Sequence, residues 1–191
     1  MSKDAPETQQ VDGAGLRFGI VAARYNSSHV DDLLAAVLRS LEAAGVAQED
    51  IETVRVPGAQ EVPYVVNMLA YTYEFDCLIA LGVIVAGDTQ HHDVLARSTA
   101  EALLRIGIEA ETPVINGILC VESEAQALAR CSGQLSRGNE FAAAALHMAE
   151  LRVSLANRLD EIESARAAEE NLGSWNLFKD GDDEDREPWK S

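Results

Sequence analysis

The sequence predicts an α/β protein: a three-layer α/β/α sandwich in which a parallel sheet of four strands carries helices on both faces. The chain has 191 residues, a length that fits one domain of ordinary size. Apolar runs of strand length alternate with segments of helical periodicity, and the connections between them are short. The run FDCLIALGVIV at 75–85 is apolar almost throughout, which is typical of a strand covered on both faces.

The first strand and helix are predicted at residues 16–45. LRFGIVAARY at 16–25 has the length and apolar content of a strand. In the segment after it, apolar residues recur every three or four positions, and Gly45 ends the pattern. The apolar residues that form this helical stripe are Val30, Leu33, Leu34, Val37, Leu38 and Leu41.

Three further strands, each followed by a helix, complete the predicted sandwich. The strands cover 51–58, 75–85 and 113–122, and the first two are followed by helices at 59–73 and 91–110. Pro63 is tolerated because it falls in the first turn of its helix. A short helix at 123–131 and a long helix from about Phe141 into the 160s follow the fourth strand. Strictly alternating strands and helices favour right-handed crossovers and a parallel sheet.

Composition divides the chain into three parts. We predict a disordered polar leader at 1–15, a single domain at 16–158, and a helical extension with an acidic tail at 159–191. From Asp160 to Ser191 there are eleven acidic and four basic residues, a net of −7 within the chain's −17. This charge argues against nucleic acid or an anionic membrane as a partner, since both are polyanions.

The termini and cysteines indicate a cytoplasmic protein. The first fifteen residues have no apolar stretch of the kind found in secretory signals, and no apolar run reaches the length of a membrane span. Three cysteines without a CxxC pair do not suggest a disulfide framework. We expect Cys77 and Cys120 to be buried, because both lie inside apolar runs.

The segment VIVAGDTQHHDV at 83–94 directs attention to the carboxyl edge of the sheet, where open parallel sheets bind ligands. Gly87 allows close approach of a ligand, and the amides that follow it lead into a helix, so they can bind an anion. Two simpler readings stay open here: Asp88 or Thr89 as an ordinary N-cap, and His91 and His92 as surface residues. A metal site is not expected, because adjacent helical residues point about 100 degrees apart.

Basic residues that could face such an anion occur in ARCSGQLSRGNE at 129–140. Arg130 ends the short helix, and we expect Arg137 in the glycine-flanked loop after it. Glu140 could pair with either arginine. Both arginines could also be ordinary surface charges.

Several segments together resemble the lumazine synthase family. They are FGIVAARYN, VRVPGAQEVP, ALGVIVAGDTQHHDV, PVINGIL and RGNEFAAAALHMAEL, in the family's order and spacing. The resemblance runs from about Leu16 to about Leu155, and its VPGxxE and GDTxHxD elements are specific. It implies a flavodoxin-like sheet and an enzyme that needs no cofactor or metal. The implied reaction condenses 5-amino-6-(D-ribitylamino)uracil with 3,4-dihydroxy-2-butanone 4-phosphate and releases phosphate and water, the penultimate step of riboflavin biosynthesis.

The resemblance also implies site residues. His91 would be catalytic and would shuttle protons, and Arg130 would bind the phosphate together with the loop at 87–89. Glu61 would belong to the turn that binds the ribityl chain, and Tyr25 would stack on the pyrimidine. Arg137 would lie near the ring, and Glu140 would pair with the phosphate-binding arginine. The implied substrate-binding residues are Tyr25, Gly58, Ala59, Glu61, Val83, Val85, Gly87, Asp88, Thr89, Asn116, Arg130, Arg137 and Glu140.

Three positions depart from the family pattern. Ala86 replaces a usual arginine, His92 a usual phenylalanine, and Asn116 an aromatic residue that a neighbouring subunit commonly lends to the ring. These changes affect substrate affinity more than reaction type, because stacking is worth on the order of 1 kcal/mol. Two other hypotheses stay open: a lumazine- or flavin-binding or shell-forming homologue with weakened catalysis, and an unrelated flavodoxin-like carrier. Measuring the turnover of both substrates would distinguish the homologue with weakened catalysis from the enzyme.

The resemblance finally implies a homo-oligomer. In the family each site lies between neighbouring subunits of a ring of five, and some members pack such rings into hollow icosahedral shells. We therefore predict at least a pentamer, in which Asn116 reaches the neighbouring subunit's ligand.

Overall fold

The computed structural model describes residues 11–132 and 136–179. The strands are β1 (Phe18–Ala23), β2 (Ile51–Val56), β3 (Cys77–Val85) and β4 (Val114–Val121). The helices are α1 (Ser27–Ala43), α2 (Val62–Ala70), α3 (His91–Glu109), α4 (Glu124–Cys131) and α5 (Arg137–Lys179), with a short 3-10 turn at Gln48–Asp50. The strands and helices therefore alternate as the sequence predicts.

The four strands form one parallel sheet in the order β2-β1-β3-β4. The central strands β1 and β3 are the most apolar, and every residue of β1 is buried. Parallel strands place their carboxyl ends at one edge, so the segments after Ala23, Val56, Val85 and Val121 lie along that edge.

Hydrophobic cores on both faces of the sheet confirm the three layers. Alternate residues of a strand point to opposite faces. On one face, the sheet residues Phe18 and Ile20 share a core with α1, α4 and α5, and the helix residues of that core include Val30, Leu33, Val37, Ala127, Phe141 and Ala145. On the other face, Val21 and Leu78 share a core with α2 and α3, whose contributions include Val62, Val66, Leu103 and Ile106.

One predicted boundary and one burial prediction were wrong. Residues 11–15 are not a disordered leader, because Val11 packs in the core and the Gly13 amide donates to the Ala44 carbonyl at 2.8 Å. Residues 1–10 lie outside the described part of the chain. Cys77 is buried as expected, and burial raises the pKa of its thiol. Cys120 is exposed, because β4 is an edge strand that its flanking helices cover incompletely.

The helix α5 starts earlier than the sequence predicts. Arg137 is its first residue, so this arginine lies on a helix and not in the preceding loop. The hydroxyl of Ser136 accepts the Gly138 amide at 3.4 Å, which is the contact of an N-cap. Ser136, five residues before the apolar run that begins at Phe141, was the N-cap signal that the sequence prediction missed.

The described residues form two compact units. The first ends at Arg152, and the second begins at Val153 and consists of the rest of α5, which reaches Lys179. In the second unit Leu155, Leu159 and Ile162 are exposed. The acidic tail after residue 179 lies outside the described residues. None of the described helices is long and apolar enough to cross a membrane.

Candidate functional site

The turn after β2 brings three predicted residues together. The Gly58 amide donates to Glu61 Oε2 at 2.8 Å, and the Glu61 amide returns a bond to the Gly58 carbonyl at 3.2 Å. A side chain at Gly58 would lie 3.2 Å from both the Tyr25 ring and Glu61 Oε2, so only glycine lets the ring and the carboxylate approach this closely. Ala59 is buried in the same turn. The turn therefore places the Glu61 carboxylate and the exposed Tyr25 ring next to each other.

Backbone bonds join this turn to the end of β1. The Tyr25 and Arg24 amides donate to the Pro57 and Val56 carbonyls at 3.1 and 2.8 Å. Asn26, directly after Tyr25, donates from Nδ2 to the Val83 carbonyl at 2.8 Å. Asn26 is also in the left-handed conformation that asparagine tolerates (φ 54°). These bonds tie the ends of β1, β2 and β3 into one edge.

The loop after β3 carries the two histidines. Val83 is buried, and Val85 is the last residue of β3. The Ala86 amide donates to the Val121 carbonyl at 2.8 Å, which places the start of the loop beside the end of β4. Gly87, Asp88 and Thr89 are exposed. An added Cβ on Gly87 would meet no atom within 4 Å among the described residues, so the chain leaves room for an approaching group.

The histidines have different surroundings. His91 is the exposed first residue of α3, and Gln90 holds the N-cap position, so neither Asp88 nor Thr89 is the N-cap. His92 is only partly exposed, and its Nδ1 donates to the Thr89 carbonyl at 2.9 Å. The His91 imidazole therefore faces solvent at the positive end of a helix, whereas His92 fastens the loop behind it.

The arginines lie beyond β4. Arg130 is the next-to-last residue of α4 and is partly exposed. Glu140 pairs with Arg137, since Arg137 Nε lies 2.9 Å from Glu140 Oε2 in the first turn of α5. The resemblance implied that Glu140 pairs with Arg130, and the structure corrects this, because residues three apart on a helix share a face. Arg137 also lies over the Phe141 ring, at 5.8 Å from its centroid.

Asn116 lies away from the carboxyl edge of the sheet. It pairs with Ala80 in the sheet register and is five residues before the last residue of β4. At about 3.3 Å per residue, this is about 16 Å from the carboxyl edge. Its Oδ1 accepts the Ile118 amide at 3.0 Å on the edge strand. The turn after β2 and the loop after β3 lie at the carboxyl edge, whereas Asn116 does not. Arg137 also lies away from that edge, because it packs over Phe141, whose ring lies against Gly117 beside Asn116.

Comparisons with known proteins agree with the motifs. A family model described as 6,7-dimethyl-8-ribityllumazine synthase matches residues 15–153. A protein of that name from Cupriavidus metallidurans is 41% identical over 145 residues, which cover 76% of this chain and 84% of the relative. Another from Bordetella petrii is 40% identical over 154 residues, 81% of this chain and 86% of the relative. The chain therefore belongs to the 6,7-dimethyl-8-ribityllumazine synthase family.

Proposed function

We propose that this protein condenses 5-amino-6-(D-ribitylamino)uracil with 3,4-dihydroxy-2-butanone 4-phosphate to 6,7-dimethyl-8-ribityllumazine in riboflavin biosynthesis. The observation that supports the proposal is that the segments after the four parallel strands all begin at the carboxyl edge of the sheet. They include an exposed imidazole (His91), a cation (Arg130) and the turn that holds Tyr25 and Glu61. The family model matches residues 15–153, a range that contains all of these segments.

The phosphate of the butanone substrate binds in the loop at 87–89 and to Arg130. Exposed amides at the start of α3 and the positive end of the helix favour an anion. Arg130 adds a charge-assisted hydrogen bond. Ala86 provides no second cation, so we expect affinity for this substrate to depend strongly on Arg130.

The ribityl chain and the pyrimidine bind at the turn after β2. Hydroxyl groups of the ribityl chain donate to the free lone pairs of the Glu61 carboxylate, whose Oε2 is oriented by the Gly58 amide. The Tyr25 ring, held against Gly58, offers a flat apolar face for the pyrimidine.

His91 transfers protons between the bound butanone phosphate and the bound uracil substrate. Attack of the uracil amine on the ketone forms an imine and releases one water. Phosphate is then eliminated, and the ribitylamino nitrogen attacks the remaining carbonyl, which closes the second ring and releases a second water. Each step moves a proton, and an imidazole gives and takes protons near neutral pH. Its position at the beginning of α3, directly after the phosphate loop, supports this role.

The proposal includes a homo-oligomer of at least five subunits, in which each active site is shared between neighbouring subunits. Asn116 lies about 16 Å along β4 from the carboxyl edge, which supports its reaching a neighbour's ligand and not its own. Exposed apolar side chains on α2 and α3 support extensive subunit contact. Those side chains are Tyr64, Met68, Leu104 and Ile108, each at least half exposed in the single chain. Assembly into shells and a cytoplasmic location stay predictions.

Turnover tests the proposed reaction directly. Purified protein is mixed with both substrates, and formation of the lumazine is followed by its absorbance and by released phosphate. We expect both products in equal amounts, and omission of either substrate should abolish both. A protein that binds the lumazine but forms none would contradict the enzyme and favour the binding homologue.

A further inference from the structure

The short helix α4 has little apolar anchoring of its own. It has eight residues, too few to be stable without outside contacts. Its buried side chains are the small Ala127 and Cys131, which pack in the core beside Val30 and Leu33 of α1. Burial raises the pKa of the Cys131 thiol to about 11, so it packs as a neutral group. Small side chains do not by themselves fix how α4 is rotated or shifted on α1.

Polar contacts to α1 hold α4 at both of its ends. His29 Nε2 lies 2.6 Å from Oε1 of Glu124, the first residue of α4, and His29 itself is 5% exposed. The hydroxyl of Ser132, directly after α4, donates to Asp32 Oδ2 at 2.5 Å. His29 and Asp32 are three residues apart on α1 and therefore share a face. We call these two contacts the α4 clamp.

The clamp encloses the residue that the proposed function assigns to phosphate. Arg130 is the neighbour of Cys131 and lies two residues before Ser132. If the backbone of α4 can shift, the Arg130 guanidinium is held less precisely against the phosphate. A misplacement of about 1 Å in a bound substrate can lower the rate by up to about a hundredfold. We propose that His29 and Asp32 are positioning residues that hold α4, and with it Arg130, for the phosphate of the butanone substrate. This inference rests on the proposed function.

The clamp makes a prediction that a general stabilising role does not. His29→Leu and Asp32→Ala should each raise KM for the butanone phosphate by about three- to thirtyfold, the size of coupling typical of one contact network. The KM for the uracil substrate should stay unchanged, because its turn is held by β1, β2 and β3. Glu124→Gln keeps an oxygen acceptor for His29 and should restore most of the affinity that Glu124→Ala loses.

Asp31→Ala is the matched control. Asp31 is on the same helix, but its carboxylate pairs with Arg55 of β2 at 2.6 Å and not with α4. We expect its KM for the butanone phosphate to equal that of the parent protein. An equal rise in this control would overturn the clamp, because any loss of a carboxylate on α1 would then have the same effect.

A double-mutant cycle decides whether the clamp acts through Arg130. Binding of inorganic phosphate is measured by calorimetry for Arg130→Ala, Asp32→Ala and the double variant. We expect no further loss from Asp32→Ala once Arg130 is absent, and additive losses would overturn the proposal. If Asp32→Ala does not fold, Ser132→Ala, which removes the donor hydroxyl of the same contact, supplies the cycle. Phosphate binding needs no turnover, so failure of the proposed reaction and failure of the clamp are separate results.

Discussion

Two neighbouring histidines at the start of α3 illustrate how the backbone separates the roles of identical side chains. His91 is exposed directly after the loop at 87–90, while His92 donates from Nδ1 to the Thr89 carbonyl and so fastens that loop. A proton shuttle must be able to exchange its proton. The bond that fixes His92 makes it less suited to this task than His91.

Replacing His91 tests this difference. His91→Ala should slow condensation by about tenfold to a thousandfold, the usual range for a positioned acid–base group. His92→Ala should slow it much less, through disorder of the loop. Steady-state rates with both substrates, together with the free energy of unfolding, provide the measurement. Equal losses in the two variants would contradict the assignment of roles.

Replacing Arg130 tests the phosphate site. Arg130→Ala should raise KM for the butanone phosphate by about tenfold or more, because a charge-assisted bond to a phosphate is lost. Titration with a ribityl-pyrimidine product analogue should give an unchanged affinity. Arg39→Ala, an exposed arginine on α1, is the control for loss of one positive charge. Loss of the analogue with retention of the phosphate substrate would place Arg130 at the other end of the site.

At the scale of elements, the contact between α1 and the start of α5 depends on one glycine. A Cβ on Gly138 would lie 2.6 Å from Ala36 Cβ and 2.7 Å from the Leu33 carbonyl oxygen. The two helices approach this closely because the glycine has no side chain. The same helix start carries the Arg137–Glu140 pair, so the packing of α5 also places those charges.

Gly138→Ala tests this contact against helix propensity. Alanine is a better helix former by about 1 kcal/mol, so propensity alone predicts a more stable protein. We expect the opposite, a free energy of unfolding lower by about 1–3 kcal/mol, because the backbone oxygen of Leu33 cannot yield without moving α1. Denaturant unfolding measures it, with Glu150→Ala on the exposed face of α5 as a control near zero. A higher free energy of unfolding for Gly138→Ala would contradict this expectation, because it would show that α1 and α5 move apart at little cost to accommodate the added methyl group.

At the scale of the whole molecule, the single chain exposes apolar side chains and holds one predicted binding residue away from the predicted site. Leu104 and Ile108 on α3 are 68% and 69% exposed. Asn116 lies five residues before the end of β4, about 16 Å from the carboxyl edge. In the proposed ring of subunits, Leu104 and Ile108 would be buried and Asn116 would contact the ligand of the neighbouring subunit.

Ile108→Asp tests the assembly. A carboxylate buried in an apolar interface is costly, so sedimentation should show a species smaller than a pentamer. Helix content should be retained, and turnover should fall by more than about tenfold, since each site would lose its neighbour's residues. The exposed Arg39→Ala again serves as the control. A parent protein that sediments as one chain and still turns over both substrates would refute the shared site.

Local pattern in the sequence determined the fold class and the edge of the sheet at which the site is predicted. Alternating strands and helices required a parallel sheet, and a parallel sheet brings the segments around Tyr25, Glu61, His91 and Arg130 to one edge whatever its detailed packing. Motif spacing was sufficient to predict the family, which the relatives confirm.

Only the tertiary structure decided how distant side chains pair. Glu140 could have met either arginine, and the start of α5 at Arg137 set the choice by placing the two residues on one helical face. The partners in His29–Glu124 and Asp32–Ser132 are 95 and 100 residues apart in the chain, and no periodicity links them. Hydrophobic periodicity specifies which face of a helix is buried. The rotation and shift at which two helices dock, which decide such pairs, depend on how all their side chains pack at once.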